Sequence, residues 1–182
     1  MNIALIIIDM QVGLFENTLR FDSDGVIQRI NAISKTIRGI GGTIIFIQHE
    51  DEGALTLGSN GWEILSNLVR EENDLIIRKQ ACDSFYKTNL AETLNQHGIT
   101  KLIIAGCATD FCVDTTIRAA ASRDYEVTVV KDGHTTADRP HLKAEQIIQH
   151  HNYVWKNLIL PSRRVRVLTA AKIIQRLTKD QS

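Results

Sequence analysis

Short runs of isoleucine, valine and leucine recur along the chain and alternate with segments of helical periodicity. The runs show no regular exchange of polar and apolar residues, so each predicted strand is covered on both faces, which is typical of a parallel sheet between helices. The predicted strands are Asn2–Ile8, Thr43–Gln48, Asp74–Arg78, Lys101–Ala105, Glu126–Val130 and Val165–Leu168. The predicted helices are Val26–Arg38, Glu63–Val69, Leu90–His97, Val113–Ser122, His141–Lys156 and Ala170–Thr178. The pattern predicts an α/β three-layer sandwich with a six-stranded parallel sheet.

The length of the chain predicts its number of domains, and its net charge limits the kinds of partner that it can bind. With roughly 150 residues to an average domain, the 182 residues predict a single domain over 1–182. The 21 basic and 21 acidic residues cancel to a formal net charge of +0. A nucleic-acid-binding protein normally carries a basic excess, so no nucleic-acid partner is expected. Low net charge favours self-association, and we expect a homo-oligomer.

The compartment is predicted from the first apolar run and the cysteines. The run ends at Asp9 and has neither a basic flank nor a small-residue cleavage site, so we expect no signal peptide and no membrane association. The three cysteines are an odd number, at spacings that match no disulfide or zinc framework. The sequence therefore predicts a cytoplasmic protein with reduced thiols.

Reactive side chains follow several predicted strands. Ligands of open parallel sheets bind outside the carboxyl ends of the strands. Asp9 follows the first strand, Lys79 the third, the segment Gly106–Val113 the fourth, and His134 the fifth. No G-x-G-x-x-G follows the first strand, which excludes a typical dinucleotide site.

Together these residues permit nucleophilic catalysis by a cysteine. Cys112 stands where the loop after the fourth strand turns into a helix, and a helix N-terminus with Lys79 nearby is expected to lower the pKa of its thiol. Asp9 is suited to accept the thiol proton and return it to a leaving group. The pattern indicates acyl transfer or hydrolysis of a C–N bond through a thioester. Each residue also has an ordinary alternative: a buried inert thiol, a turn-capping acid, a solvated lysine.

Four segments carry a family resemblance: ALIIIDMQ (Ala4–Gln11), GSNGWEI (Gly58–Ile64), RKQACDSFYKTNL (Arg78–Leu90) and GCATDFCVDTTIRAA (Gly106–Ala120). They resemble the isochorismatase-like cysteine hydrolase superfamily. The resemblance implies a catalytic triad of Asp9, Lys79 and Cys112. It also implies a cis peptide bond between Cys107 and Ala108, with the N–H groups of Ala108 and Cys112 forming the oxyanion hole. Relatives are often dimers or larger, so the expected homo-oligomer is a dimer or tetramer.

Branches of the superfamily differ in metal use and substrate. Nicotinamidases hold a metal through several histidines after the second strand, whereas this chain reads QHEDEGALTLGS there, with His49 alone. We therefore expect no metal and no cofactor, and His49 is expected to line the pocket or to form a hydrogen bond. The segments ACDSFY, DGHTTAD and HHN look like the amidohydrolase branch that includes streptothricin hydrolase. The expected substrate is a small-molecule amide.

Other functions remain open at this stage. They are an isochorismatase-type vinyl-ether hydrolase, a nicotinamidase-like amidase, and a non-enzymatic binding protein with a redox-sensitive thiol. Side chains near the strand ends are candidates for substrate binding, with ordinary packing or hydrogen bonding as the alternative: Gln11, Phe15, Trp62, Phe85, Tyr86 and His134. Cys107 is expected to face the core, and Cys82 has no assigned role.

Overall fold

The computed structural model of the protein describes residues 2–16, 18–161 and 163–179. Its sheet has six parallel strands: β1 (Ile3–Ile8), β2 (Thr43–His49), β3 (Leu75–Lys79), β4 (Lys101–Cys107), β5 (Glu126–Thr135) and β6 (Arg166–Leu168). The strand order is β3-β2-β1-β4-β5-β6. The predicted six-stranded parallel sheet is confirmed.

Within the described residues, five α-helices cover the two faces of the sheet: α1 (Ser23–Gly39), α2 (Leu90–Gln96), α3 (Asp114–Ser122), α4 (Ala144–Lys156) and α5 (Ala170–Lys179). Alternate residues of β1 enter two separate cores. Leu5 and Ile7 pack with α1 and α5, whereas Ile6 and Ile8 pack with α2, α3 and α4. Burial on both faces explains why the strand sequences are continuously apolar, and it gives the three layers that were predicted.

The strand order reverses direction next to β1, which lies between β2 and β4. This arrangement opens a crevice at the carboxyl ends of β1 and β4, where ligands of open sheets bind. The two strands approach closely there because Ile8 pairs with Gly106. A Cβ atom on Gly106 would lie 2.1 Å from the carbonyl oxygen of Ile8, and its φ of 127° also favours glycine.

Two predictions about secondary structure are wrong. The segment Glu63–Val69, predicted as a helix, consists of turns and one antiparallel bridge between Ile64 and Gln11. Its backbone pairs with the segment after β1, since Val12 N donates to Glu63 O at 2.9 Å. The second error concerns β5, which continues past Val130 through an irregularity in its pairing with β4. His134 therefore lies within a strand and not after one.

Short 3₁₀ turns at Val12–Leu14 and Asn60–Trp62 stack on each other above the sheet. A Cβ atom on Gly61 would lie 2.2 Å from the carbonyl oxygen of Ala54, so only glycine permits this approach. The packed turns form one wall above the carboxyl ends of the strands. No helix in the described part of the chain is long and apolar enough to cross a membrane.

Candidate active site

Asp9 is the first residue after β1, and it lies at the floor of the crevice. Its backbone has a positive φ of 48°, and its N–H donates to Ile47 O at 2.9 Å. The residue is only 1% exposed. Carboxylate oxygen Oδ1 is buried and has no hydrogen-bond partner among the described residues, which leaves a position free to accept a proton.

Lys79 connects three of the strand ends. Its Nζ donates to Asp9 Oδ2 at 2.7 Å and to the carbonyl oxygen of Ala81 at 3.0 Å. The same nitrogen lies 3.3 Å from Cys112 Sγ and 3.2 Å from His49 Nδ1. The ammonium therefore contacts both the acid and the thiol of the predicted triad within one buried cluster.

Cys112 lies on a π-helical turn, Thr109–Val113, which joins β4 to α3. Such turns are rare and are often found at functional sites. The hydroxyl of Thr109, at the start of the turn, lies 2.9 Å from His134 Nδ1, and His134 Nε2 lies 3.2 Å from Asn152 Oδ1. This buried network fixes the turn that carries the thiol. The peptide bond between Cys107 and Ala108, just before the turn, is cis, as the family resemblance implies.

The buried charges change the proton affinities of the cluster. Burial raises the pKa of Asp9 above its ordinary value, although the Lys79 charge opposes this rise. Burial lowers the pKa of Lys79, but the Asp9 carboxylate and the hydrogen bonds to Asp9 and Cys112 outweigh it, so the net pKa is raised and the ammonium persists. These directions favour a carboxyl group that exchanges a proton beside a permanent cation.

The expected thiolate at Cys112 is not supported by its surroundings. Burial and the nearby Asp9 carboxylate raise the pKa of the thiol, and the Lys79 charge compensates only in part. The expectation failed because chain position does not reveal how close an acid lies. Cys112 therefore rests as a thiol, and its proton must leave when it reacts.

His49 is drawn into the cluster through its side chain. Burial and the Lys79 charge lower its pKa, so the ring is neutral near pH 7. Because Lys79 Nζ points at Nδ1, that nitrogen acts as an acceptor and is not available to a metal ion. Among the residues that the structure describes, no group of three or more His, Cys, Asp or Glu side chains is arranged to hold a metal.

A cavity of about 310 Å³ opens above the cluster. Its lining combines the reactive groups with apolar and charged side chains from the surrounding loops: Asp9, Leu14, Arg20, His49, Asp51, Leu55, Cys82, Cys107, Ala108, Phe111, Cys112 and Arg139. The volume falls at the small end of the range for small-molecule sites. Asp9, Ala108 and Cys112 meet at this cavity, with Lys79 directly behind Asp9 and Cys112.

None of the six side chains predicted to bind substrate is part of the cavity lining. Gln11 is fully buried, and it donates to the carbonyl oxygens of His49 and Trp62, both at 2.9 Å. Its amide oxygen accepts from the N–H of His49 at 2.8 Å, so the side chain joins the loops that surround the site. His134 is 2% exposed and supports the π turn from behind.

The four aromatic candidates also take other positions. Phe85 stacks on Tyr125, away from the cavity, and Tyr86 is 55% exposed. Phe15 packs beside the guanidinium of Arg20, and Trp62 contributes its backbone carbonyl to the bond with Gln11. Proximity to a strand end in sequence did not place these rings in the site, because the loops turn them away.

The cavity contains residues that sequence reasoning did not select. Arg20, Asp51 and Leu55 come from irregular segments, which have no periodicity that would indicate their direction, and Phe111 lies on the π-helical turn that carries Cys112. Arg139 also belongs to this group, although it lies close to the DGHTTAD segment. His49 lines the cavity as expected, whereas Cys107 is fully buried and borders the cavity from the core side.

Comparison with known proteins identifies the family. The model of the Isochorismatase domain matches residues 3–155. The chain belongs to the isochorismatase family. A crystal structure of an isochorismatase family protein superposes on this isochorismatase domain with a TM-score of 0.85 at 36% identity, covering 92% of this chain and 98% of the other.

Two curated relatives show the range of the family. A secreted isochorismatase effector of Verticillium dahliae is 29% identical over 150 residues, which are 80% of this chain and 79% of that protein. Streptothricin hydrolase of Streptomyces noursei is 28% identical over 140 residues, which are 75% of this chain but only 56% of the hydrolase. The isochorismatase family thus includes hydrolases, and the predicted family is confirmed for this chain.

Proposed function

We propose that this isochorismatase domain is a cysteine-dependent hydrolase of an amide, or a related C–N bond, in a small molecule. The observation that carries the proposal is the position of Lys79 Nζ, 2.7 Å from Asp9 Oδ2 and 3.3 Å from Cys112 Sγ, beneath a small cavity. A nucleophile, a base and a cation within hydrogen-bond reach of one another form the arrangement that covalent acyl transfer requires.

The first half of the proposed reaction forms a thioester. Asp9 accepts the Cys112 thiol proton as the sulfur attacks the substrate carbonyl carbon, and the raised pKa of the carboxyl group suits this transfer. Lys79 stabilises the negative charge that develops on the sulfur. The N–H groups of Ala108 and Cys112 hold the oxyanion. Protonated Asp9 then donates its proton to the leaving nitrogen, the C–N bond breaks, and an amine departs.

The second half reverses these roles. A water molecule gives its proton to Asp9 and attacks the thioester carbon. The tetrahedral adduct collapses, the carboxylic acid leaves, and the proton on Asp9 returns to the sulfur. One amide and one water are consumed for each amine and acid released, and no cofactor enters the balance.

Turnover of a panel of small amides by three single variants tests the proposal. We expect Cys112→Ser and Asp9→Asn to lose at least about 10²-fold in kcat, because each lacks a group that forms or breaks bonds. Cys82→Ser, which alters the other partly exposed cysteine of the cavity, retains measurable turnover. Wild-type rates in Cys112→Ser would overturn the proposal and would show that the reaction is catalysed without this thiol.

A further inference from the structure

The charges of the cavity are mostly neutralised within the protein. Asp9 is paired with Lys79 at 2.7 Å. Arg139 is paired with Asp110 through two hydrogen bonds, Nε to Oδ2 at 2.8 Å and Nη2 to Oδ1 at 3.0 Å. The remaining cation of the lining, Arg20, forms no ion pair with any residue in 2–16, 18–161 or 163–179.

Arg20 is held in place without being neutralised. Its Nε donates to the carbonyl oxygen of Leu14 at 2.8 Å, and its guanidinium carbon lies 5.9 Å from the centre of the Phe15 ring. Neither terminal nitrogen has a hydrogen-bond partner within the described chain. A guanidinium has five N–H donors in a planar fork, so the four on the two terminal nitrogens remain available.

The acid that shares the cavity with Arg20 does not compensate its charge. Asp51 uses Oδ1 to accept the N–H groups of Gly53 and Leu55, at 2.8 and 2.9 Å, which ties the carboxylate to its own loop. Asp51 is also exposed to solvent. Water and its own backbone therefore satisfy Asp51, whereas the two terminal nitrogens of the half-buried Arg20 have no partner within the described chain and face solvent or a ligand.

Arg20 is bonded to Phe21, whose backbone is fixed at the end of β5: Phe21 N donates to Thr136 O at 3.0 Å, and Thr135 Oγ1 donates to Phe21 O at 2.6 Å. Thr135 pairs with Cys107 at the end of β4. Among the charges that act on the Cys107 thiol, Arg20 has the largest effect and opposes the rise in pKa caused by burial. Cys107 is bonded directly to Ala108, which provides one N–H of the proposed oxyanion hole. A group bound by Arg20 would thus lie in the same cavity as a carbonyl in the reactive position.

We propose that Arg20 binds a carboxylate of the substrate, so that the substrates are small amides that also carry a carboxylate group. A carboxylate fits the two terminal nitrogens of a guanidinium in a bidentate manner. The inference rests on the proposed function for the identity of the reacting bond. The carboxylate contact itself is a matter of binding and can be measured without turnover.

Protection of Cys112 from alkylation by iodoacetamide measures this contact. The probes are the monoamides of succinic, glutaric and adipic acid, each compared with its own methyl ester, which lacks the charge. Alkylation of the Cys112 peptide is followed by mass spectrometry at one fixed pH. We expect at least one acid to protect at a concentration about 10-fold or more below its ester, as expected for a charged hydrogen bond.

Three variants identify the group responsible. Arg20→Gln is expected to abolish the difference between acid and ester, and Arg20→Lys to retain part of it. Arg164→Gln removes one positive charge from an exposed residue outside the cavity and is expected to leave the difference unchanged. The thermal midpoint of each variant is measured in parallel to verify folding.

Equal protection of Cys112 by the acids and their esters would overturn the proposed role of Arg20. A difference between acid and ester that survives in Arg20→Gln, or the absence of protection by every probe, would also overturn it. The two proposals fail separately. Selective protection by acids without hydrolysis of any amide would support the carboxylate contact while contradicting the proposed hydrolase activity. Hydrolysis of the amide bond in the methyl esters at the same rate as in the free acids would support the proposed hydrolase activity while contradicting the carboxylate contact.

Discussion

The ammonium of Lys79 lies 2.7 Å from the carboxylate of Asp9, and the two side chains are 0% and 2% exposed. Two opposite charges are thus removed from water together at the carboxyl ends of β1 and β3. Each charge is tolerated because the other is present, since an isolated buried ion costs far more than it returns. The pair is therefore a structural element of the cavity floor as well as part of the proposed chemistry.

Removal of one member of this pair is expected to destabilise the protein. Lys79→Met leaves Asp9 buried without its cation, and the expected loss of unfolding free energy is ~3–5 kcal/mol. The double variant Asp9→Asn/Lys79→Met removes both charges and should recover much of this loss while remaining inactive. Urea denaturation checks both values. Lys143→Met, which breaks the exposed pair with Asp138, should leave the urea midpoint unchanged. Additive losses of unfolding free energy in the double variant would show that the two buried charges do not stabilise each other.

The Asp9 carboxylate is expected to determine how alkylation of the Cys112 thiol depends on pH. Since burial and Asp9 raise the pKa of the thiol above 9.0, the rate should rise only above that pH. In Asp9→Asn the negative charge is absent and the Lys79 ammonium remains, so the midpoint should move to lower pH. Iodoacetamide labelling measured from pH 6 to 11 checks both. A midpoint near pH 7 in the wild type would show that the thiolate is the resting form.

Buried His134 is expected to make the protein less stable in acid. Burial lowers its pKa to about 4 in the folded chain, from 6.5. Between these values the unfolded chain binds the proton and the folded chain does not, so the unfolding free energy falls as the pH falls. The full difference between the two pKa values of His134 corresponds to ~3 kcal/mol of unfolding free energy. Urea denaturation at pH 7 and 4.5 measures it, and His134→Gln should reduce the pH dependence.

A control for this pH dependence is His141→Gln, which changes an exposed histidine and should retain the wild-type slope. Equal slopes in wild type and His134→Gln would show that another group controls the acid lability.

The close approach of β4 to β1 predicts a strong effect of a single methyl group. Gly106→Ala places a Cβ atom 2.1 Å from Ile8 O at a φ of 127°, so the strands must separate. We expect a loss of ~3 kcal/mol or more in unfolding free energy, or failure to fold. Gly39→Ala meets nothing within 4 Å and lies in α1, where alanine is the better helix former, so it should be neutral or stabilising. Urea midpoints of the two variants provide the comparison.

The sheet and the reactive cluster could be predicted from the sequence for the same reason. Strands buried on both faces, such as Ile3–Ile8, show as uninterrupted apolar runs, and the ends of parallel strands meet at one edge. Asp9, Lys79 and Cys112 each stand at or just after such an end, so their convergence follows from the topology. The helix expected at Glu63–Val69 failed because pairing with the segment after β1 outweighed a short periodic pattern.

The wall of the cavity could not be predicted in this way. Arg20 and Leu55 lie in irregular segments, where the direction of a side chain depends on long-range packing such as the contact of Gly61 with Ala54. The resting form of Cys112 was also missed, since its pKa depends on the distance to Asp9 rather than on chain position. Sequence patterns located the residues of the proposed triad, whereas the other residues of the cavity wall required the structure.

The most direct test of the account is the mass of the intact protein, quenched in acid during turnover of a small amide. The proposed mechanism predicts that the protein gains the mass of the acyl group, that peptide analysis places the acyl group on Cys112, and that Cys112→Ala gains nothing. Accumulation should be greatest early in turnover, before water attacks the thioester. Steady hydrolysis with no acyl mass on wild type, together with full turnover by Cys112→Ala, would contradict the account.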